Sequence, residues 1–140
     1  MRFWDSSALI PLFLKQPATA AMRELFESDP DVLAWTISDV EFRSVICRLA
    51  REAAVNATGA DAAMTEFENF WARVRVVSAV EAVKDRAKRL LGVHVLRAAD
   101  ALQLGAALVA TYDQPERREF VSLDTRLAEA ARREGFRVLP

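Results

Sequence analysis

Four acidic residues lie at or near the starts of predicted helices, and their side chains could together bind a metal ion. They are Asp5, Glu41, Asp100 and Asp124. Asp5 and Asp124 directly follow short apolar segments that are typical of buried strands, and Asp100 and Glu41 lie in the first turns of longer helical segments. In an open parallel sheet, ligands bind at the edge formed by the carboxyl ends of the strands. We therefore expect the four carboxylates to lie close together.

Such a cluster of carboxylates favours the binding of a hard divalent cation. Neighbouring carboxylates repel one another, which raises their pKa values and destabilises the fold unless a cation compensates the charge. Carboxylate and water oxygens suit Mg²⁺ or Mn²⁺, and a chain with one cysteine, Cys47, and one histidine, His94, lacks the residues of a zinc site. A divalent cation of this kind can lower the pKa of a bound water and stabilise charge on a phosphate.

Each acid also has an explanation that requires no ligand. Aspartate is a favoured residue at helix N-termini, and acidic side chains suit the positive end of the helix dipole. Asp100 with Gln103 three residues later resembles a capping box. Glu41 could pair with Arg48 on the same helix face. None of these explanations accounts for four acids that the topology directs to one edge of a sheet.

The order of the predicted elements gives an α/β fold. Apolar strands alternate with amphipathic helices, which predicts a parallel central sheet flanked by helices. Two helices at 38–55 and 60–73 form a helical pair, with a turn predicted from Asn56 to Gly59. The other helices are predicted at residues 7–15, 18–28, 81–91, 98–112 and 125–134, and the strands at residues 2–4, 32–35, 75–77, 119–123 and 136–139. We expect a single domain over residues 1–140.

The composition of the chain excludes several classes of protein. The 19 basic and 20 acidic residues nearly balance, so electrostatic coating of the whole surface by nucleic acid is excluded. Apolar residues make up 52% of the chain, enough for a core, which excludes an intrinsically disordered protein. No segment approaches the roughly 20 apolar residues of a membrane span. Asp5 and Lys15 interrupt the apolar N-terminal segment, so we expect a cytoplasmic protein rather than a secreted one.

Four motifs, in this order along the chain, resemble those of PIN-domain ribonucleases and, within that family, the VapC-like toxins of type II toxin–antitoxin systems. The motifs contain one acid each and are Phe3–Leu9, Ser38–Phe42, Leu96–Leu104 and Phe120–Leu127. One such motif alone would be weak evidence. Four in order, covering essentially the whole chain, identify a PIN-like domain.

The resemblance implies a metal-dependent endoribonuclease that uses Mg²⁺, with Mn²⁺ as a substitute. The four acids would be the catalytic metal ligands, with Glu41 binding directly or through water and helping to place the attacking water. Ser122 and Ser6 would be hydrogen-bonding accessories. The chain departs from the family pattern at Gln103, where histidine is frequent, and at Phe42, where a smaller aliphatic residue is frequent. Neither departure is expected to involve contact with the acids.

The resemblance also implies an RNA substrate, a cognate VapB-like antitoxin and a homodimer. The basic residues that could contact RNA or the antitoxin are Arg43, Arg48 and Arg97. Two alternatives stay open on the residues alone. The same acids would serve a metal-dependent phosphatase, or a nuclease acting on structured DNA or RNA outside toxin–antitoxin systems. The other alternative is a binding module that has lost catalysis. In such a module we expect at least one of the four acids to be replaced, whereas all four are present here.

Overall fold

The computed structural model describes residues 1–140 and consists of five strands and seven helices. The strands are β1 (Arg2–Trp4), β2 (Val32–Trp35), β3 (Arg75–Val77), β4 (Glu119–Val121) and β5 (Arg137–Leu139). The helices are α1 (Ser6–Phe13), α2 (Thr19–Ser28), α3 (Ser38–Arg51), α4 (Ala57–Trp71), α5 (Val80–Val93), α6 (Ala98–Ala110) and α7 (Thr125–Arg133). A short 3₁₀ turn, Pro115–Arg117, precedes β4. None of the helices has both the length and the apolar composition needed to cross a bilayer.

The five strands form one parallel sheet, as the sequence predicted, and the structure gives the strand order as β3-β2-β1-β4-β5. The chain builds outward from β1 through β2 to β3, and then adds β4 and β5 on the other side of β1. The strand order therefore reverses between β1 and β4. In open α/β sheets, this reversal leaves a crevice at the carboxyl ends of the strands where ligands bind. Asp5 follows β1 and Asp124 follows β4, so both lie at this crevice.

Helices cover both faces of the sheet, and each face has its own hydrophobic core. Because side chains alternate along a strand, Phe3 points into one core and Trp4 into the other. Helices α5, α6 and α7 pack on the Phe3 side, and α1 to α4 pack on the Trp4 side. The predicted helical pair is confirmed as α3 and α4, which are joined by stacked rings of Phe42 and Phe67 with centroids 3.8 Å apart.

Several boundaries of the predicted elements are wrong. The helix predicted over 38–55 ends at Arg51, and Ala53 beyond it has a φ of 54°; the strand predicted over 119–123 ends at Val121. The turn predicted from Asn56 is the start of α4, because the Asn56 Oδ1 accepts a hydrogen bond from the Gly59 N–H at 2.7 Å and caps the helix. The helix predicted to reach residue 112 ends at Ala110. Tyr112 and Asp113 adopt positive φ angles of 53° and 56°, which no α-helix accommodates.

Gly105 of α6 lies against the backbone of α5, and we expect an alanine there to destabilise the fold. A Cβ atom at Gly105 would lie 2.9 Å from the Val83 carbonyl oxygen and 3.2 Å from the Ala87 nitrogen. Both neighbours are backbone atoms, so the helices must separate. Gly105→Ala should lower the free energy of unfolding by about 1–3 kcal/mol, measured by urea denaturation.

Gly92→Ala is the matched control for this prediction. Gly92 is also helical, near the end of α5, but a Cβ atom there would have no other atom within 4 Å. Alanine has the higher helix propensity, so this variant should gain up to about 1 kcal/mol. Equal stability of the two variants would contradict the close helix packing at Gly105.

Candidate active site

Asp5 is a buried carboxylate held by three neutral donors. It caps α1, and its Oδ1 accepts hydrogen bonds from the Ala8 N–H at 3.1 Å and the Ser7 hydroxyl at 2.6 Å. Its Oδ2 accepts from the Ser122 hydroxyl at 2.8 Å. Asp5 is 2% exposed, and burial raises its pKa to about 6 despite the hydrogen bonds, which lower it. No cation of the protein hydrogen-bonds to this carboxylate.

Ser122 and Ser7 tie the end of β1 to the end of β4. The Ser122 hydroxyl, which donates to Asp5, also accepts from the Asp124 N–H at 3.2 Å. The Ser7 hydroxyl accepts from the Leu123 N–H at 2.9 Å. Asp124 then caps α7. These contacts bring Asp5 and Asp124 to the same crevice. Sequence reasoning misses the role of Ser7, because the adjacent serines after Asp5 look alike.

Glu41 is half-buried in the first turn of α3, and hydrogen bonds join it to two other helices. Its Oε2 accepts from the Ser6 hydroxyl at the start of α1 and from the Gln103 amide of α6, the latter at 2.9 Å. Two predictions are therefore wrong. Gln103 does contact an acid, and Glu41 does not pair with Arg48, which instead forms a salt bridge with Glu52 at 3.5 Å.

Asp100 is the third residue of α6 and is partly exposed. Its Oδ2 accepts a hydrogen bond from the Arg97 N–H at 3.2 Å. The capping box predicted from Asp100 to Gln103 is wrong, because the helix begins at Ala98 and Asp100 bonds back to the residue that precedes the helix. Residues three apart share a helix face, so Asp100 lies one turn before Gln103 on the side of α6 that meets Glu41.

The donor set at this edge suits a hard cation, although a metal-binding cluster is not formed. No three His, Cys, Asp or Glu side chains are close enough together to hold a metal ion as they stand. The available ligands are carboxylate and hydroxyl oxygens, which Mg²⁺ and Mn²⁺ prefer. The hydrogen-bond donors to Asp5 and to Glu41 are uncharged. The buried charge of Asp5 is thus uncompensated by the protein itself.

The three basic candidates differ in their environments. Arg43 forms a salt bridge with Glu68 at 2.9 Å, and Arg48 is paired as described above. Both pairs are exposed on the helical pair of α3 and α4. Arg97 is also exposed, but it makes no salt bridge, and it precedes the helix that carries Asp100. Arg97 is thus the one of the three whose charge is not already paired.

Comparison with known proteins identifies the family of this chain. The PIN domain family matches residues 2–133 of this chain. Ribonuclease VapC45 and Ribonuclease VapC49, from the CDC 1551 / Oshkosh and the ATCC 25618 / H37Rv strains of Mycobacterium tuberculosis, are each 28% identical to it over 106 residues, 76% of this chain and 74% of theirs. The crystal structure of FitAcB from Neisseria gonorrhoeae shares the fold, with a TM-score of 0.71 and 17% identity over 100% of this chain and 97% of that one. The chain belongs to the PIN domain family.

Proposed function

We propose that this protein is a metal-dependent endoribonuclease that hydrolyses RNA phosphodiester bonds. The observation that carries the proposal is the network of acids and hydroxyls at the crevice between β1 and β4. In it, a buried Asp5 with no cationic partner shares Ser122 with Asp124, and Ser6, the next residue, bonds to Glu41. Membership of the PIN family supports the proposal, as do the two relatives that are named as ribonucleases.

The carboxylates of Asp5, Asp100 and Asp124 would hold Mg²⁺, or Mn²⁺ in its place, with Glu41 binding directly or through water. A bound cation supplies positive charge that lowers the pKa of an attacking water and offsets charge on the phosphate oxygens. It would also compensate the buried charge of Asp5. The hydrogen bond from Ser122 fixes the orientation of the Asp5 carboxylate, and the bond from Ser6 fixes that of the Glu41 carboxylate. This is the accessory role that we assign to the two serines.

The basic residues would hold the RNA backbone at the rim of the acidic crevice. Arg97 has a free charge beside Asp100 and is the first candidate for a phosphate contact. Arg43 and Arg48 would exchange a salt bridge for a phosphate. Exposed pairs of this kind contribute at most about 1 kcal/mol, so the exchange is feasible. Phosphate contacts set affinity and its dependence on salt rather than the choice of sequence.

The biological role that we propose is that of a cytoplasmic toxin controlled by a VapB-like antitoxin. The antitoxin would cover the crevice and direct a basic side chain at the acids, and the toxin would form a homodimer. In support, Ile37 and Val40 lie beside Glu41 in the sequence and are 42% and 59% exposed. A partner chain at the crevice would bury these apolar side chains together with the acids.

Cleavage of total cellular RNA tests the proposed activity. The purified protein, freed of any antitoxin, is incubated with RNA in Mg²⁺, in Mn²⁺ and in EDTA, and the product ends are mapped. We expect cleavage with either metal, none with EDTA, and products that carry a 5′-phosphate and a 3′-hydroxyl. A folded protein that leaves RNA intact in both metals but cuts single-stranded or structured DNA would contradict the ribonuclease assignment and favour a DNA nuclease.

A further inference from the structure

Gln103 is a buried residue whose side-chain amide joins α6, the helix that carries Asp100, to α3, the helix that carries Glu41. The residue is 2% exposed. Its Nε2 donates one hydrogen bond to the Glu41 Oε2 and one to the Ser38 hydroxyl, both at 2.9 Å, so both of its protons are used on the first turn of α3. Its Oε1 is buried and has no hydrogen-bond partner.

The contact between Gln103 and Glu41 crosses from one layer of the fold to the other. Phe42, which follows Glu41, packs in the core on the Trp4 side of the sheet, and Leu104, which follows Gln103, packs in the core on the Phe3 side. The sheet separates the two cores, and Gln103 of α6 reaches Ser38 and Glu41 of α3, the helix that follows the carboxyl end of β2. The Gln103 side chain is a direct polar link between the two helices.

The orientation of the amide is set by the acid. If the amide were rotated by 180°, its oxygen would face the Glu41 carboxylate, and two acceptors would oppose each other. The observed orientation avoids this contact but leaves Oε1 buried without a donor, which is unfavourable. An apolar side chain of the same size would fill this space without an orphaned oxygen. What Gln103 provides beyond packing is the pair of hydrogen bonds that fix the first turn of α3.

We propose that Gln103 is a positioning residue that sets Glu41 relative to Asp100 for metal binding. The inference rests on the proposed function. Asp100 lies one turn before Gln103 on the same side of α6, so the amide holds the Glu41 carboxylate at a fixed place with respect to the helix that supplies Asp100. Without the amide, Glu41 keeps its bond to Ser6, but its carboxylate is free to turn away from α6.

The test replaces the amide by an apolar group of equal length and then restores a donor. Gln103→Met removes both hydrogen bonds. Gln103→His returns an N–H at the same number of bonds from Cβ. Thr111→Val is the control: Thr111 is equally buried near the end of α6, but its hydroxyl bonds only to carbonyls of that helix, at 3.0 and 3.1 Å. The measurements are the Mn²⁺ dissociation constant by calorimetry, kcat and KM on a short RNA, and the thermal midpoint.

We expect Gln103→Met to fold and to bind Mn²⁺ about 10–100-fold more weakly, the range found when a group that orients a metal ligand is removed. The value of kcat should fall by a similar factor with little change in KM. Gln103→His should recover most of the Mn²⁺ affinity, and Thr111→Val should match the wild type. A purely structural role predicts a lower thermal midpoint with an unchanged Mn²⁺ affinity in the protein that remains folded.

Three outcomes would overturn the inference, and they differ in what else they affect. Wild-type cleavage together with equal Mn²⁺ affinity in folded Gln103→Met would reject the positioning role and leave the proposed function intact. A wild-type protein that neither binds Mn²⁺ nor cuts RNA would reject both. If Gln103→Met does not fold, Gln103→Asn keeps a polar amide but shortens the side chain by one bond, which withdraws the donor from Glu41. An Mn²⁺ affinity equal to that of the wild type in this variant would also reject the role.

Discussion

Asp5→Asn is expected to abolish RNA cleavage and, at the same time, to stabilise the metal-free protein at neutral pH. Cleavage is lost because the variant removes a negatively charged ligand of the proposed cation. Stability rises because a neutral amide needs no compensating charge in a site that is 2% exposed. Asparagine keeps the hydrogen bonds, since its oxygen can accept from the Ala8 N–H and the Ser7 hydroxyl while its amide donates to the Ser122 hydroxyl.

The pKa of Asp5 gives the size and the pH range of this gain. Burial raises the pKa from the ordinary value of 3.8 to about 6, so the folded state holds the proton more tightly than the unfolded state does. The favourable contribution of the protonated acid is complete below about pH 4 and is lost as the pH rises through about 6. At pH 7 and above, the ionised Asp5 therefore lowers the free energy of unfolding by about 3 kcal/mol relative to the protonated acid.

Urea unfolding in EDTA at several pH values measures this effect. Asp5→Asn should exceed the wild type by about 3 kcal/mol at pH 7.5, and the two curves should converge toward pH 4. Asp31→Asn makes the same charge change at an exposed position at the opposite edge of the sheet, before β2, and should leave both stability and cleavage near the wild type. A variant at position 5 that is less stable than the wild type at pH 7.5 would contradict an uncompensated charge there.

Asp100→Asn is expected to lose the same activity with almost no change in stability. Asp100 is partly exposed, so its charge carries little desolvation penalty. Its oxygen accepts from the Arg97 N–H, which an asparagine oxygen can also do. The variant loses only the interaction of a charge with the start of α6, about 0.3–1 kcal/mol. Cleavage should fall by at least about 100-fold, because removing a ligand should cost more than removing a group that orients one.

The alternative for Asp100 is a residue that serves only the start of its helix. That alternative predicts unchanged cleavage with the same small loss of stability. The assay is the initial rate on a defined RNA at saturating Mg²⁺, with Asp31→Asn as the charge-matched control. Retention of more than half of the wild-type rate by folded Asp100→Asn would remove Asp100 from the proposed site.

The fold could be predicted from the sequence because its signals are local. The strands are short apolar segments, and the bounds of β1, β2 and β3 agree with the prediction. Asp5 and Asp124 cap the helices that follow β1 and β4, as their residue type indicates. Local signals also mislead. Asn56 is typical of turns and of helix caps alike, and only the packing of α4 decides that it is a cap.

The contacts of the site could be predicted only in part, because they connect segments far apart in the chain. Ser6 and Ser7 look equivalent in the sequence, yet the direction of the first turn of α1 sends one to Glu41 and the other to Asp5. The sequence predicts no contact between Gln103 and the acids, because its nearest acid in sequence, Asp100, lies on its own helix. Its actual partner is 62 residues away, across the two layers of the fold.

Titration of the metal-free protein with Mn²⁺, followed by electron paramagnetic resonance, tests most directly whether these carboxylates hold a cation. The test is needed because the acids are not gathered closely enough to be a formed metal site in the absence of metal. We predict saturable binding to the wild type, much weaker binding to Asp5→Asn and Asp100→Asn, and unchanged binding to Asp31→Asn. A folded wild-type protein that leaves Mn²⁺ free in solution would contradict the metal site and leave the four acids with structural roles at the starts of their helices.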